Sequence, residues 1–202
     1  MKDTYLVGNY SINCKGNLID LSTPKIMSIV NTTPDSFYDG GKYNTIEKAL
    51  QKVELDISNN TTFIDVGGYS SKPNANHVTE EEELKRTIPT IEAILNSFPK
   101  AVISIDTFRG KVAKEAIEAG AAMINDISAF ELDKEMINTL STYKVPYVLM
   151  HMQGTPQNMQ KNPYYKNVVK DIIQFLSNKI SKLKTFGIHD IVIDPGFGFG
   201  KT

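Results

Sequence analysis

Short apolar runs separated by longer amphipathic stretches organise this chain. The runs cover residues 26–30 (IMSIV), 62–67 (TFIDVG), 101–106 (AVISID), 122–126 (AMIND), 147–151 (YVLMH) and 191–194 (IVID). Most are rich in Val or Ile, and all are too short for a typical helix. Their near-continuous apolarity predicts strands buried on both faces, as in a parallel sheet. The stretches between them carry helix signals. Thr79 with Glu82 forms a capping-box pattern, and Glu80 to Glu83 put acid at the positive end of the helix dipole. In KVAKEAIEAG, Val112, Ala113, Ala116 and Ile117 share one face, and Gly120 suits the left-handed residue that ends a helix. Pro163 suits the first turn of a helix ending near Gly187. Pro89 sits inside the second helical stretch and is expected to kink or split it. Residues 1–23 read as a strand-and-turn preamble with Lys15-Gly16-Asn17 as the turn, placed to cap the bottom of a domain over 24–202.

The order is therefore six strand-then-helix units, the last without its helix. Such units build either a closed barrel or an open doubly wound sheet. Nearly every run closes on a polar side chain: Asn31, Asp65, Asp106, Asn125 with Asp126, His151 and Asp194. In a barrel these ends converge at one mouth, where the chemistry sits. That favours an α/β fold of the (β/α)8 TIM-barrel type. A complete barrel of this type runs about 250 residues, so the expectation is one truncated after about six strands.

Composition narrows the function. The 202 residues carry 22 Lys and Arg against 23 Asp and Glu, a formal charge of −1. That balance gives no field for nucleic acid or an acidic membrane. No apolar run approaches the ~20 residues needed to span a bilayer, and the first residues lack the apolar core of a signal peptide. The single cysteine, Cys14, permits no intrachain disulfide and fits a reducing compartment. A cytoplasmic location is expected.

Three groups of residues could carry chemistry. The loop from Asn31 to Gly41 is dense in turn formers, and the Asn31 amide suits a hard cation such as Mg²⁺ or, equally, a turn cap. The loop from Gly67 to Pro73 has paired glycines for close approach, with Ser70, Ser71 and Lys72 suited to a phosphate or merely solvated. Asp106, Asn125 and Asp194 could together read a flat heterocycle rich in N–H donors, such as a pterin or guanine. A carboxylate matches a guanidine-like edge with two parallel hydrogen bonds. Their structural alternative is to cap the loops that follow. The segment from Gly196 to Thr202 is no P-loop, because Pro195 stands where the motif needs its first glycine. Phe197 and Phe199 read instead as walls beside a ligand. His77, His151 and His189 lack metal-ligand spacing. His151 reads as a hydrogen-bonded pocket residue, and Cys14 as no nucleophile.

Taken in order, NTTPDSFYDGG, FIDVGGYSSKP, ISIDTFRGKVAKEAIEAGAAMINDIS, YVLMHMQGTPQNMQ and IVIDPGFGFGKT closely resemble the segments of bacterial dihydropteroate synthases, from about residue 24 onward. The resemblance implies a (β/α)8 barrel that joins 4-aminobenzoate to 6-hydroxymethyl-7,8-dihydropterin diphosphate, releasing pyrophosphate. It implies that Asp106, Asn125 and Asp194 hold the pterin, with Asp194 on the guanidine-like edge. Asn31 would contact Mg²⁺ and the diphosphate. Two loops would close over the site: one with Phe37 and Asp39, the other with Ser71, Lys72 and Pro73. Asp39 and Lys72 would be the catalytic pair of these loops, and Phe199 would line the aminobenzoate pocket. The implied partners are these small substrates and, at full length, a second copy in a homodimer.

The chain departs from the family in two respects. Ser71 and Lys72 stand where the family usually has Thr and Arg, and Tyr69 where it has Glu. Lysine keeps the charge but loses the bidentate fork, which predicts weaker loop closure. The family also continues for two more units, carrying Ser-Arg-Lys and Arg-x-His segments. The expectation is therefore an N-terminal portion of a synthase, inactive or nearly so alone. The rival readings are a pterin-binding methyltransferase domain with the same Asp/Asn/Asp set, and a pterin binder without turnover.

Overall fold

A computed structural model describes residues 10–32, 42–69 and 77–201. It opens on a hairpin of β1 (Ser11–Cys14) and β2 (Asn17–Asp20), antiparallel with Ile12 opposite Ile19. Lys15 (φ 54°) and Gly16 (φ 88°) form the two-residue turn that such tight hairpins favour.

Strand and helix then alternate. β3 (Met27–Asn31) precedes α1 (Lys42–Ser58), β4 (Phe63–Gly67) precedes α2 (Glu80–Ser97), and β5 (Val102–Asp106) precedes α3 (Gly110–Glu118). β6 (Met123–Asp126) precedes α4 (Glu135–Tyr143), β7 (Tyr147–Met150) precedes α5 (Val168–Thr185), and β8 is Ile191–Asp194. β3 to β8 form one parallel six-stranded sheet in chain order. This is a run of consecutive strands of a (β/α)8-type barrel. Among the described residues β3 and β8 stand at its two edges.

Alternation along the strands divides the interior. One face of each strand meets the helices: Val30, Ile64, Val66, Ile103, Ile105, Ile124, Tyr147 and Leu149 join Ile91, Ile94, Val112, Ala116 and Leu140 in the main core. The other face looks into the barrel. At its lower end Phe63, Met123 and Val148 pack with Ile12 and Cys14, so the hairpin plugs the N-terminal ends of the strands. The Asn13 N–H donates to Asp190 Oδ2 (3.1 Å), tying the plug to the start of β8.

The helix signals resolve into specific contacts. Thr79 caps α2 by accepting from Glu82 N–H (3.3 Å), while the Glu82 carboxylate turns to Arg86 (2.8 Å) instead of closing the box. Val112, Ala113, Ala116 and Ile117 are all buried, and Gly120 follows at φ 120°. Two expectations need correction. Pro89 does not split α2, which runs unbroken from Glu80 to Ser97. Both Pro89 and Lys85, whose carbonyl loses its partner, are exposed, so water satisfies the freed oxygen. Nor does Pro163 open a helix. The Gln153 amide holds the Tyr164 backbone at both its N–H and its carbonyl (3.0 Å each). The helix starts only at Val168, where Asn167 caps Lys170 N–H (3.0 Å).

Candidate active site

The C-terminal ends of the strands gather the polar residues. Asn31 pairs in register with Gly67, Gly67 with Asp106, and Asp106 with Asn125, making one row across four strands. Asp194 ends β8 opposite Met150 on the same side of the barrel. The fold thus brings Asn31, Asp106, Asn125 and Asp194 to one end. Gly67 makes room within the row: a β-carbon there would lie 3.3 Å from Asp106 Oδ2 and 3.5 Å from Asn31 Oδ1. Gly68 serves packing instead, since its β-carbon would press on Thr87 Cγ2 at 2.8 Å.

Beneath this row lies a residue that the sequence reading put at a strand end but gave no part in binding. Asp65, buried on the inward face of β4, accepts from Asn125 Nδ2 at its Oδ2 (2.9 Å). That bond fixes the Asn125 amide and leaves its oxygen free to accept. Asp65 Oδ1 and Ser104 Oγ, on residues that are neighbours in register, are both buried and find no hydrogen-bond partner among the described residues. Ser104 sits close enough to favour the ionised carboxyl, but the geometry closes no bond. Burial outweighs both neighbours and raises the Asp65 pKa. The only signal in the sequence was an acid on the same strand face as Gly67, inside a fully buried run.

Asp106 is the most perturbed acid of the site. Burial raises its pKa well above the ordinary value, and Asp65, Glu83 and Asp126 add like charge. Among the described residues no group hydrogen-bonds to its carboxyl. Asp194 differs, because its Oδ1 accepts from Gly196 N–H (2.7 Å), so the side chain both starts the following loop and faces the site. Phe199, in that loop, packs against Ile127, Met150, Met152 and Met159.

Asp126 and Glu83 face the other way. Asp126 accepts from Ser128 N–H and hydroxyl, Phe130 N–H and Tyr147 O–H, all within 2.7–2.8 Å, and holds the loop after β6. Glu83 accepts from Thr107 (2.6 Å) and pairs with Arg109. Arg109 in turn donates to the Val78 carbonyl (2.6 Å) and lies over the rings of Tyr69 and Phe108. Tyr69 accepts from Gln157 (2.7 Å), and its hydroxyl meets His77 at 3.5 Å.

The expected Mg²⁺ at Asn31 is corrected by this geometry. Among the described residues no three His, Cys, Asp or Glu side chains converge as metal ligands. Asp65 and Asp106, on the neighbouring strands, are not gathered with Asn31 into such a set. Phe37, Asp39, Ser71, Lys72 and Pro73 lie outside the described residues. The P-loop lysine position is also settled: Lys201 turns inward onto carbonyl oxygens. Cys14 is buried beneath the barrel, with its thiol pushed up to about 11 by burial and by Asp190.

Among the described residues, then, a parallel barrel-type sheet carries amide and acid side chains together at the C-terminal ends of its strands. The profile of the pterin-binding enzyme family matches residues 27–202. A dihydropteroate synthase of Haemophilus influenzae is 44% identical over 186 residues, covering 91% of this chain and 67% of that protein. One from Clostridium beijerinckii is 48% identical over 179 residues, covering 88% and 64%. A Yersinia pestis dihydropteroate synthase solved with a sulfonamide drug superposes at TM-score 0.87 and 41% identity, covering 95% of this chain and 70% of that one. The chain belongs to the dihydropteroate synthase family. It spans about two thirds of the length of these relatives, 67% and 64% for the two sequences. Among the described residues no helix is long and apolar enough to cross a membrane.

Proposed function

We propose that the chain serves dihydropteroate synthesis, the condensation of 6-hydroxymethyl-7,8-dihydropterin diphosphate with 4-aminobenzoate. The observation that carries this reading is the row of under-used hydrogen-bonding groups at the barrel mouth. Asp106 is unpartnered among the described residues, and Asp65 Oδ1 and Ser104 Oγ are buried without partners. Buried polar groups left unpaired cost about 1–3 kcal/mol each unless a ligand satisfies them. A pterin, flat and lined with ring nitrogens and an amino group, suits such a set. Asp194 would take its guanidine-like edge, Asn125 would accept through the oxygen that Asp65 leaves free, and Asp106 would bond a ring nitrogen.

The chemistry asks little more of the protein than placement. The amine nitrogen of 4-aminobenzoate forms a bond to the exocyclic carbon of the pterin. The C–O bond to the diphosphate breaks, pyrophosphate departs with the electron pair, and the amine loses a proton to solvent. The dihydropterin ring stabilises positive charge at that carbon, so no strong base is needed. Phe199 would wall the arene side, and Asn31 would contact the diphosphate. Phe37, Asp39, Ser71, Lys72 and Pro73 keep the roles that the resemblance implies. We place the chemistry in the cytoplasm, since the single cysteine is a free thiol.

The test is calorimetric titration with 6-hydroxymethylpterin, together with a pyrophosphate-release assay on both substrates. Asp106→Ala and Asn125→Ala should each weaken pterin binding at least tenfold with an unchanged circular dichroism spectrum. Wild-type affinity in both variants would refute the pterin assignment. Pterin binding without pyrophosphate release would favour a pterin binder without turnover.

A further inference from the structure

One ammonium bolts the loop after β8 to the loop after β7. Lys201 Nζ donates to the Phe199 carbonyl (2.8 Å), the His151 carbonyl (3.0 Å) and His151 Nδ1 (2.9 Å). Three acceptors consume all three donors of an ammonium. The rest of the loop is gripped as well. Phe199 N–H donates to Gly196 O (3.0 Å), Gln160 donates to Gly198 O, and the Tyr165 hydroxyl donates to Gly200 O.

His151 is buried, edge-on to Phe175 at 4.8 Å and tilted against Tyr165 at 6.0 Å. An ammonium accepts nothing, so Nδ1 must be the acceptor of this bond and the ring proton sits on Nε2, a tautomer assigned from the network. Protonating Nδ1 would set a second cation against Lys201. The charged groups facing the pair are few. Lys201 opposes a charge on His151 and Glu131 favours one, while Asp194 favours the charge on Lys201. Burial is the largest influence on both, and it holds each below its ordinary pKa.

We propose that Lys201, acting through neutral His151, is a positioning residue that sets Phe199 as the arene wall of the site, and that protonation of His151 releases it. The proposal rests on the pterin and aminobenzoate reading above. Phe199 is the link, because its carbonyl is held by Lys201 while its ring packs on the methionines at the mouth. Among the described residues the side chains of Asp106, Asn125 and Asp194 make no hydrogen bond to Lys201 or His151; the link to Asp194 is through the backbone, His151 N–H donating to the Asp194 carbonyl (3.1 Å), so the latch should act mainly on one half of a spanning ligand.

The experiment compares two ligands on the whole chain from pH 5.5 to 7.5. One is 7,8-dihydropteroate, which spans both halves; the other is 6-hydroxymethylpterin, which occupies the pterin half. In the wild type the ratio of their dissociation constants should shift severalfold against dihydropteroate at the acid end, short of the full worth of a charged hydrogen bond because burial lowers the pH at which His151 takes up its proton. Lys201→Met should show the weakened ratio at every pH. His151→Asn keeps an acceptor near Nδ1 and does not titrate, so it should bind like the wild type with a flat ratio. Equal losses for both ligands, or none for either, overturn the proposal. Binding of neither ligand by the wild type instead sinks the functional reading, and with it the role given to Phe199. ¹⁵N-histidine NMR then judges the latch by itself: a Nδ1–H tautomer at His151, or titration unchanged in Lys201→Met, would show that it does not exist.

Discussion

Alanine at Gly200 and at Gly198 should separate backbone strain from lost space within one loop. Both residues adopt left-handed backbone, at φ 61° and φ 82°. An added β-carbon costs roughly 1 kcal/mol at either position for conformation alone. At Gly198 it meets nothing within 4 Å. At Gly200 it would stand 2.7 Å from the Gln153 carbonyl oxygen and 3.1 Å from the Gln153 nitrogen. Ordinary carbon–oxygen contacts begin near ~3.3 Å, so the two loops must part by roughly half an ångström. Overpacking of that kind adds about 1–3 kcal/mol, and the movement strains the bonds of Tyr165 and Lys201 next to it. Gly198→Ala should therefore cost about 1 kcal/mol and Gly200→Ala about 2–4 kcal/mol. Urea unfolding at pH 7.5, with the slope held constant, measures both. Dihydropteroate affinity should fall in Gly200→Ala and hold in Gly198→Ala. If the two variants differ by less than about 0.5 kcal/mol, the close packing of these loops is not what holds them.

Three further outcomes follow from the acids, the second loop and the thiol. Asp106→Asn should flatten the dependence of stability on pH. The native pKa lies above the unfolded one, so the native state holds the proton more tightly and wild-type stability falls as pH rises from about 4 through the raised value. The slope is at most about 1.4 kcal/mol per pH unit for one proton. If stability varied with pH in parallel for the wild type and Asp106→Asn between pH 4 and 8, this sign would be wrong. Lys72→Arg restores the bidentate fork and should lower the aminobenzoate KM several-fold in the pyrophosphate-release assay; unchanged KM and kcat would dismiss it. Cys14 should react with a thiol reagent only after unfolding, and rapid labelling of the native chain at pH 7 would contradict its burial under the hairpin.

What was legible in the sequence followed from strictly local rules. Buried parallel strands must be apolar on both faces, so all six runs were visible, and the polar residue closing each run marked the mouth. The caps at Thr79 and Gly120 could be read for the same reason. Misreadings arose where a distant partner decides. Pro89 breaks a helix only if the carbonyl it strands is hidden, and whether Lys85 faces water is a matter of packing. Pro163 would suit a first turn, but the Gln153 amide, ten residues earlier, claims the backbone beside it. Mg²⁺ was suggested by one amide, whereas a ligand set depends on which side chains the fold brings together, and among the described residues no such set forms. The last segment read as no P-loop, but nothing local showed that Lys201 bonds His151, fifty residues away, together with the nearby Phe199 carbonyl.

The strand acids Asp65, Asp106 and Asp126, with Glu83 on α2 beside them, show how the layering of the fold sorts one chemical group into two jobs. Asp126 and Glu83 lie on the outer side of the sheet and at the helix layer, where backbone amides, hydroxyls and Arg109 saturate them. Each could be replaced only by a group with the same bonds, so both read as scaffold. Asp65 and Asp106 lie on the inner face, one residue pair apart along the barrel. There the protein supplies Asp65 with one donor and, among the described residues, supplies Asp106 with none. A fold that merely needed polar caps would satisfy these two as it satisfies the others. That it withholds donors from the inner pair, while burial raises both pKa values, is what the proposed pterin site requires: hydrogen bonding left for a ligand rich in N–H groups to complete. On the sheet itself the saturated Asp126 and the under-bonded Asp65 and Asp106 thus lie on opposite faces, and on the proposed reading the mouth would take its specificity from what the barrel leaves unpaired.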